Sequence, residues 1–337
     1  MKCVRTAVPG WAGLAFIGAL VFAPAVAEAQ RAEGSFQRSL TVSGPVAVDV
    51  VSGSGRIDVR AGSAGRVEVS AKIQANDGWG SRRSALTAEE RVRRIEANPP
   101  IEQTGSTVRV GHIADEDLRN GVSISYTVTV PAAATVNART GSGAVHVEGV
   151  NGRVEASTGS GSLTLRGVGG PSRASAGSGD VTADTVRGSL HATTGSGRIQ
   201  ATGVSGAITA TTGSGSIDVA QSGPGNVEIS TGSGSVRARG IRGALEASSS
   251  SGDVDVQGDI TGDWRLSSSS GSISIGLPSN AGFDLDASTS SGRISTDFQV
   301  MVSGEVDRRS LRGSTKGGAG RLLRIRTASG SISIRRM

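Results

Sequence analysis

The segments Thr140-Gly141-Ser142-Gly143, Thr158-Gly159-Ser160-Gly161, Ala176-Gly177-Ser178-Gly179, Thr194-Gly195-Ser196-Gly197 and Thr212-Gly213-Ser214-Gly215 recur every 18 residues. Gly234, Gly252, Gly271 and Gly292 continue the column with small insertions. Gly330 closes it after a longer gap, and Gly53-Ser54-Gly55 before Arg56-Ile57-Asp58-Val59 is an outlying copy. A fixed short period of this kind signals a stacked solenoid, in which each repeat touches only its neighbours, rather than a globular core. With 51 glycines and only 3% aromatics, an aperiodic chain would bury too little apolar surface to fold. The period reverses that reading.

Each Gly-Ser-Gly leads into alternating apolar residues, as in Val145/Val147, Leu163/Leu165, Ile199/Ala201, Ile217/Val219, Val254/Val256, Ile273/Ile275 and Ile332/Ile334. A second alternating pair follows half a period later, at Val154/Ala156, Leu190/Ala192, Ile208/Ala210, Val227/Ile229, Leu245/Ala247 and Trp264/Leu266. Alternation with period two is the strand signal, so each coil carries two short strands. Between them a lone aliphatic recurs at Val150, Val168, Val186, Val204 and Ile241, placed to plug the turn. Stacking at roughly 4.8 Å per coil sets like residues above like and closes a narrow aliphatic core. About ten coils, roughly 50 Å long, are expected at that spacing. The corner glycines Gly143, Gly161, Gly179, Gly197, Gly215, Gly234, Gly252, Gly271, Gly292 and Gly330 are expected to supply positive φ and close backbone approach, with the aligned serines bonding along the stack. A phosphate-cradling loop would be needed once, not ten times.

The flanks lack the strict repeat. Ala47-Val48-Asp49-Val50, Arg66-Val67-Glu68-Val69, Thr107-Val108-Arg109-Val110 and Ser123 to Val130 read as strands. Thr87-Ala88-Glu89-Glu90 is a capping box, Val92 and Ile95 share a face, and Asn98-Pro99-Pro100 ends the segment, which predicts a helix near 87–97. At the start, Lys2 and Arg5 precede the apolar run Trp11 to Phe22, and Ala27-Glu28-Ala29 follows, the pattern of a secretory leader cleaved after Ala29, with Ala27 as the alternative site. The run is too short for a comfortable membrane span, which needs roughly 20 apolar residues. The sequence thus divides into a leader (1–29), an irregular β N-terminal cap with one inserted helix (30–135), regular repeats (136–297) and a basic closing segment (298–337).

Cys3 is the sole cysteine and lies in the leader, so the exported chain has neither disulfides nor thiolate metal sites. Removing Lys2, Arg5 and Glu28 turns 35 basic and 29 acidic residues into 33 and 28, a net of +5. Nine basic residues against Glu305 and Asp307 give residues 305–337 a local +7, which leaves −2 for the rest.

The leader, the segment Tyr126-Thr127-Val128-Thr129-Val130-Pro131 and the ladder of Thr-Gly-Ser-Gly-x-Ile-x-Val repeats together resemble the bacterial putative-adhesin β-strand-repeat family, a domain of unknown function. Val302-Ser303-Gly304-Glu305-Val306 and Ser329-Gly330-Ser331-Ile332-Ser333-Ile334 are similar too, so the resemblance covers roughly residues 36–335. It implies a parallel, single-stranded β-helix, right-handed by analogy, in the cell envelope. It brings no catalytic residues and no cofactor.

Enzymatic and ligand-binding chemistry find few footholds. A calcium β-roll would place a carboxylate two residues after the glycine, but that column holds Val145, Leu163, Val181, Ile199, Ile217 and Val236, and aliphatic side chains cannot ligate a hard cation. The main enzymatic alternative is a polysaccharide lyase or hydrolase, for which two facing carboxylates suffice. The outward column Glu155, Arg173, His191, Thr209, Glu228, Glu246, Arg265 juxtaposes Glu228 and Glu246, yet it is mixed in sign as a solvated face is. His112, His146 and His191 lack a second ligand at metal spacing. Aromatics for sugar stacking are few: Phe36, Trp79, Tyr126, Trp264, Phe283 and Phe298. The outward Ser157, Ser175, Thr193, Thr211, Ser230, Ser248, Ser267 column could bind a repetitive surface, although Ser and Thr also suit any solvent-facing strand.

The basic end is the one feature a solenoid does not require. Arg308, Arg309, Arg312 and Lys316 lie in a loop without the Gly-x-x-x-x-Gly-Lys order of a nucleotide site. An exported protein meets envelope glycans and anionic lipid head groups before nucleic acid, and clustered arginines attract either through a salt-sensitive field. A charged end that blocks edge-to-edge stacking is the competing reading.

Overall fold

Alternation along each segment decides the architecture, because a strand can bury only every second side chain. The structure, a computed structural model, describes residues 31–77, 85–302, 307–315 and 320–337. The expected leader, Trp79 and Lys316 lie outside the described residues.

One regular coil shows the plan. The strand Val154–Thr158 is followed by the Gly159-Ser160-Gly161 corner, then the strand Leu163–Val168 on the opposite face, then a second corner leading to Ser172–Ala176 one coil on. Val154 pairs in parallel with Ser172 and Val136, and Leu163 with Val181 and Val145. The protein is an all-β parallel solenoid with two sheet faces. Both inward columns are buried as far as the outermost C-terminal coil, where Ile294 and Thr296 are half-buried, and the lone aliphatics Val150, Val168, Val186, Val204 and Ile241 are fully buried between the columns. Where the coil is one residue longer, Gln221 pairs with Val204 at the start of that corner. Its amide donates to the carbonyls of Gly206 and Gly225 at 3.2 and 3.0 Å, and its oxygen accepts from Arg242 N at 3.1 Å.

The stack does not follow chain order at its ends. The coil built from Ala47–Ser52 and Ile57–Gly62 lies directly against Thr135–Thr140 and Val145–Glu148. The later strands Thr107–Val110 and Val122–Pro131 lie outside it. At the other end Leu322–Thr327 and Ile332–Arg336 pack against Trp264–Ser268 and Ile273–Leu277, and the earlier strands Asp284–Thr289 and Ile294–Thr296 lie outside them. In space Gly330 therefore sits between Gly271 and Gly292, so Gly292 rather than Gly330 closes the column. Eleven successive parallel pairings make twelve coils on each face among the described residues, about 50 Å at the usual strand spacing.

Both ends finish by reversing strand direction. At the N-terminal end Arg66–Asn76 and then Arg31–Thr41 add antiparallel strands to one face, and Ile101–Thr104 adds one to the other. The helix Ala88–Ala97 covers the outer strand. Its capping box is present, with Glu90 N donating to Thr87 Oγ1 at 3.3 Å and Thr87 N to Glu90 Oε2 at 3.1 Å. Val92 and Ile95 are buried as expected. Arg91 is buried too, and it holds the cap together. Its guanidinium donates to Asn76 O at 3.0 Å, Asp77 Oδ1 at 2.6 Å and Asn120 O. Asn120 caps a second, one-turn helix, Glu116–Arg119, that four residues are too short to announce by apolar period. At the C-terminal end the antiparallel pair Ser310–Thr315 and Val300–Val302 closes one face.

The corner glycines act by close approach alone. A Cβ on Gly161, Gly179, Gly197 or Gly215 would lie within about 2.1 Å of the carbonyl oxygen of the glycine one coil before, and none of the ten has positive φ. The left-handed position is at the opposite corner, at Gly149, Gly167, Gly203 and Gly240, with Thr185 standing in the same column at φ +58. The side chain that bonds along the stack is likewise the threonine before Gly-Ser-Gly, not the serine inside it. Thr158 Oγ1 donates to Gly143 O at 2.8 Å and accepts from Gly161 N at 3.0 Å. Thr140, Thr194 and Thr212 repeat the outward bond at 2.8 to 3.0 Å, whereas the corner serines contribute their backbone N–H, as Ser160 does to Gly141 O.

Candidate functional site

The out-of-order coils at the C-terminal end create a register that the linear sequence does not display. Parallel pairing sets Arg265 beside Arg324 and Arg324 beside Asp286, and the antiparallel strand sets Asp286 beside Arg312. Two residues along, Ser267, Arg326, Ser288 and Ser310 form the neighbouring outward column.

Asp286 is the hub of this surface. Its carboxylate accepts from Arg326 Nη2 at 2.8 Å and Arg312 Nε at 3.1 Å, with Arg324 Nε at 3.5 Å. The carboxylate is 17% exposed while the three arginine side chains are 43 to 65% exposed. One anion thus organises three cations and leaves a local excess of two positive charges facing solvent. Arg326 also donates to Ser288 Oγ at 2.6 Å. Beside it runs a shallow groove of about 450 Å³, lined by Ser230, Ser248, Ser267, Ser288, Arg326 and their neighbours. The arrangement offers hydroxyls and fixed guanidinium forks to a ligand, the chemistry that matches carboxylate or phosphate oxygens.

Of the residues singled out from sequence, Arg312 is in this cluster. Arg308 and Arg309 are exposed on the adjoining turn, held there by their carbonyls, which accept from Ile294 N at 3.2 Å and Thr289 N at 2.9 Å. Arg324 and Arg326 were counted in the basic charge but are brought to the cluster only by register. The inward-facing aromatics leave no stacking face: Phe36, Tyr126, Trp264, Phe283 and Phe298 are all buried, and Trp264 Nε1 donates to Gly243 O at 3.0 Å.

Glu228 and Glu246 are paired neighbours on adjacent coils, and both are exposed. The three histidines stay apart. His112 pairs with Asp49 at 3.1 Å, His146 with Glu148 at 3.5 Å, and His191 lies 3.4 Å from Thr193 Oγ1. Burial, with the Arg173 guanidinium on the next coil, lowers the His191 pKa below the ordinary histidine value. Among the described residues no three of His, Cys, Asp and Glu converge into a set that could hold a metal ion.

The Toastrack DUF4097 family profile matches residues 102–335. The chain belongs to that family. Its likeness extends to solved structures at low identity. A putative adhesin from Bacteroides fragilis is 13% identical, with 90% of this chain and 97% of that one covered and a TM-score of 0.30. A putative lipid binding protein from Parabacteroides distasonis is 14% identical, with 90% and 96% covered and a TM-score of 0.37. A putative cell adhesion protein from Clostridium sporogenes is 10% identical, with 90% and 100% covered and a TM-score of 0.22. No curated protein matches the chain. Membership fits the solenoid described above, and among the described residues of this Toastrack chain no helix is long and apolar enough to cross a membrane.

Proposed function

We propose that this Toastrack protein is an exported, non-enzymatic β-solenoid of the bacterial cell envelope, an adhesin or scaffold that docks its C-terminal end onto anionic groups of envelope glycans or lipid head groups. The observation that carries the reading is the cluster of Arg312, Arg324 and Arg326 around the single carboxylate of Asp286. A cap that only blocked edge pairing would need charge at the edge, whereas these guanidinium groups face outward beside a hydroxyl-lined groove. Export rests on the leader pattern Lys2, Arg5, Trp11 to Phe22 and Ala27-Glu28-Ala29.

The test replaces Arg308, Arg309, Arg312 and Lys316 with serine and measures sedimentation with anionic vesicles, an acidic polysaccharide and a neutral dextran. Docking predicts binding to an anionic partner at low salt that weakens steeply toward about 1 M, where the Debye length is near 3 Å, and that the variant loses. New concentration-dependent oligomers with unchanged binding would instead assign the segment to edge protection. The vesicle and polysaccharide arms separate lipid from glycan. The polysaccharide-active enzyme is the second reading, favoured by the pairing of Glu228 with Glu246. It stands only if turnover of some glycan is detected and Glu228→Gln or Glu246→Gln abolishes it.

A further inference from the structure

The corner beside the arginine cluster breaks a rule that the rest of its column obeys. Gly159, Gly177, Gly195, Gly213 and Gly232 follow one another along the stack, and a Cβ on any of them would lie 2.3 to 2.6 Å from the carbonyl oxygen of the glycine one coil before. Ser250, Ser269, Ala328 and Ser290 then take over the same place, because each donates its backbone N–H to the threonine or serine one coil before, as Gly232 does. The switch falls in the four coils that lead up to and include the arginine cluster. A repeat that departs from its own packing rule in one region points to function there.

Two hydroxyl columns result. Ser230, Ser248 and Ser267 run along the strand face up to Arg326, the next residue in register, while Ser250, Ser269 and Ser290 run along the corner, and both columns line the groove of about 450 Å³. Ser267 and the three corner serines are exposed, so their hydroxyls are open to a ligand. A hydroxyl both donates and accepts, and the columns therefore match a partner that does the same at regular intervals. Coils lie about 4.8 Å apart, close to the advance of one pyranose unit in an extended chain. A phospholipid head group would engage the guanidinium groups and leave both columns idle. A nucleic-acid strand needs aromatic faces on which to stack, and the groove has none. Asp286 and Ser288 take one N–H each from Arg326, and its remaining N–H groups can meet a carboxylate on the sugar chain.

We propose that the groove binds a linear acidic polysaccharide lying along the solenoid axis, with sugar hydroxyls on the two serine columns and a sugar carboxylate on Arg326. The proposal rests on the docking reading above and names its ligand as glycan rather than lipid. The probes are di-, tetra- and hexagalacturonate, the fully methyl-esterified tetramer, and phosphatidylglycerol vesicles, each titrated against the full chain at low salt. From Ser230 to Arg326 is three coil steps, about 14 Å, so affinity should climb from dimer to tetramer and level off at the hexamer. The tetramer should bind about tenfold tighter than its ester, the worth of one charge-assisted hydrogen bond. Replacing Ser250, Ser267 and Ser269 together with alanine should weaken the tetramer about tenfold, the worth of one or two net neutral hydrogen bonds, and leave vesicle binding unchanged. Ala328 already stands in the corner column, so alanine is compatible with the fold. Arg326→Gln should bring the tetramer down to the affinity of its ester. If neither vesicles nor galacturonates bind, the docking reading fails and this proposal with it. If vesicles bind and the tetramer does not, docking stands and the groove is overturned. The groove is equally overturned if tetramer binding survives the serine substitutions, if the ester binds as tightly as the acid, or if affinity does not depend on chain length. Should Arg326→Gln fail to fold, the length series and the serine variant decide alone.

Discussion

In the regular coils a residue pairs with one 18 or 19 positions away, whereas at the two ends the parallel partners lie 38 to 88 positions apart. Thr158 bonds to Gly143 and Gly161 within its own and the adjoining coil, while Thr140 reaches Gly55 and Thr289 reaches Gly330, separations of 85 and 41. The same threonine-to-glycine bond is made in both places. The repeat therefore specifies a contact and not a chain order, and the ends exploit that freedom. Each end slips one coil out of sequence, then uses the leftover chain to reverse strand direction and stop the stack. A parallel coil could otherwise accept another copy indefinitely, since its edge presents unpaired N–H and C=O groups.

If the ends depend on single tertiary anchors where the middle depends on repetition, the largest loss should come from Arg91. Its guanidinium joins the helix to Asn76, Asp77 and Asn120, against the single bond that Glu96 Oε1 accepts from Ser35 N on the outer strand. Removing one partner of a buried ion pair costs about 3–5 kcal/mol, and since Asp77 is 33% exposed the lower figure applies. Arg91→Ala should lower stability by about 3 kcal/mol in urea denaturation, with the exposed Arg93→Ala near zero as its control. Equal effects of the two would refute the anchor.

The next comparison places one substitution in the middle and at an end. Gly195 and Gly53 hold the same place in the Gly-Ser-Gly motif. A Cβ at Gly195 would lie 2.4 Å from Gly177 O, while at Gly53 nothing lies within 4 Å. Overpacking against a backbone that cannot move aside costs about 1–3 kcal/mol. Gly195→Ala should show that loss in thermal unfolding and Gly53→Ala should be neutral. A substantial loss at Gly53 would mean that the motif requires glycine for a reason other than stacking.

These contrasts explain what could be read from the sequence. The period, both inward columns and the capping box at Thr87 were legible because each is written within a span of about twenty residues. The order of the end coils was not: Gly330 and Gly292 look alike, and only packing decides which lies against Gly271. Arg91 reads as a surface cation because its helix is otherwise charged, and its burial follows from where Asn120 comes to rest. The same displacement hid the Asp286 cluster, since Arg324 and Arg312 become its neighbours only after the coils exchange places. Positive φ was placed at the wrong corner because glycine recurs at both. Thr185 carried the warning in reverse, as a non-glycine in the column that needs glycine.

That exception yields the third prediction. Thr185 adopts φ +58 where Gly167 and Gly203, the corresponding residues on either side, adopt +61 and +67. A left-handed conformation costs an L residue about 1–2 kcal/mol, most for β-branched side chains, and glycine's greater freedom in the unfolded chain returns part of that. Thr185→Gly should therefore raise stability by about 1 kcal/mol, read as a higher urea midpoint. A loss would show that the Thr185 hydroxyl, 3.2 Å from Asp184 Oδ1, outweighs the strain.

The smallest effect is the sharpest test of repetition itself. The threonine column has one gap, Ala176, between Thr158 and Thr194. By the pattern of Thr194, which donates to Gly179 O at 2.8 Å and accepts from Gly197 N at 3.2 Å, a hydroxyl at 176 would donate to Gly161 O and accept from Gly179 N. Ala176 is 8% exposed, so the added group would be largely shielded from water. Serine already fills the column at Ser249 and Ser268, donating to Gly234 O and Gly252 O at 2.9 and 3.0 Å, so the smaller side chain is long enough. Net gains for such bonds run to about 0.5–1.5 kcal/mol, and ordering the new rotor takes some of that back. Ala176→Ser should stabilise the protein by about 0.5 kcal/mol, and Thr194→Ala should destabilise it by about 1 kcal/mol because it also strands a buried N–H. If serine at 176 gives nothing while alanine at 194 costs as expected, the coils are not equivalent, and each rung depends on its local corner rather than on the column.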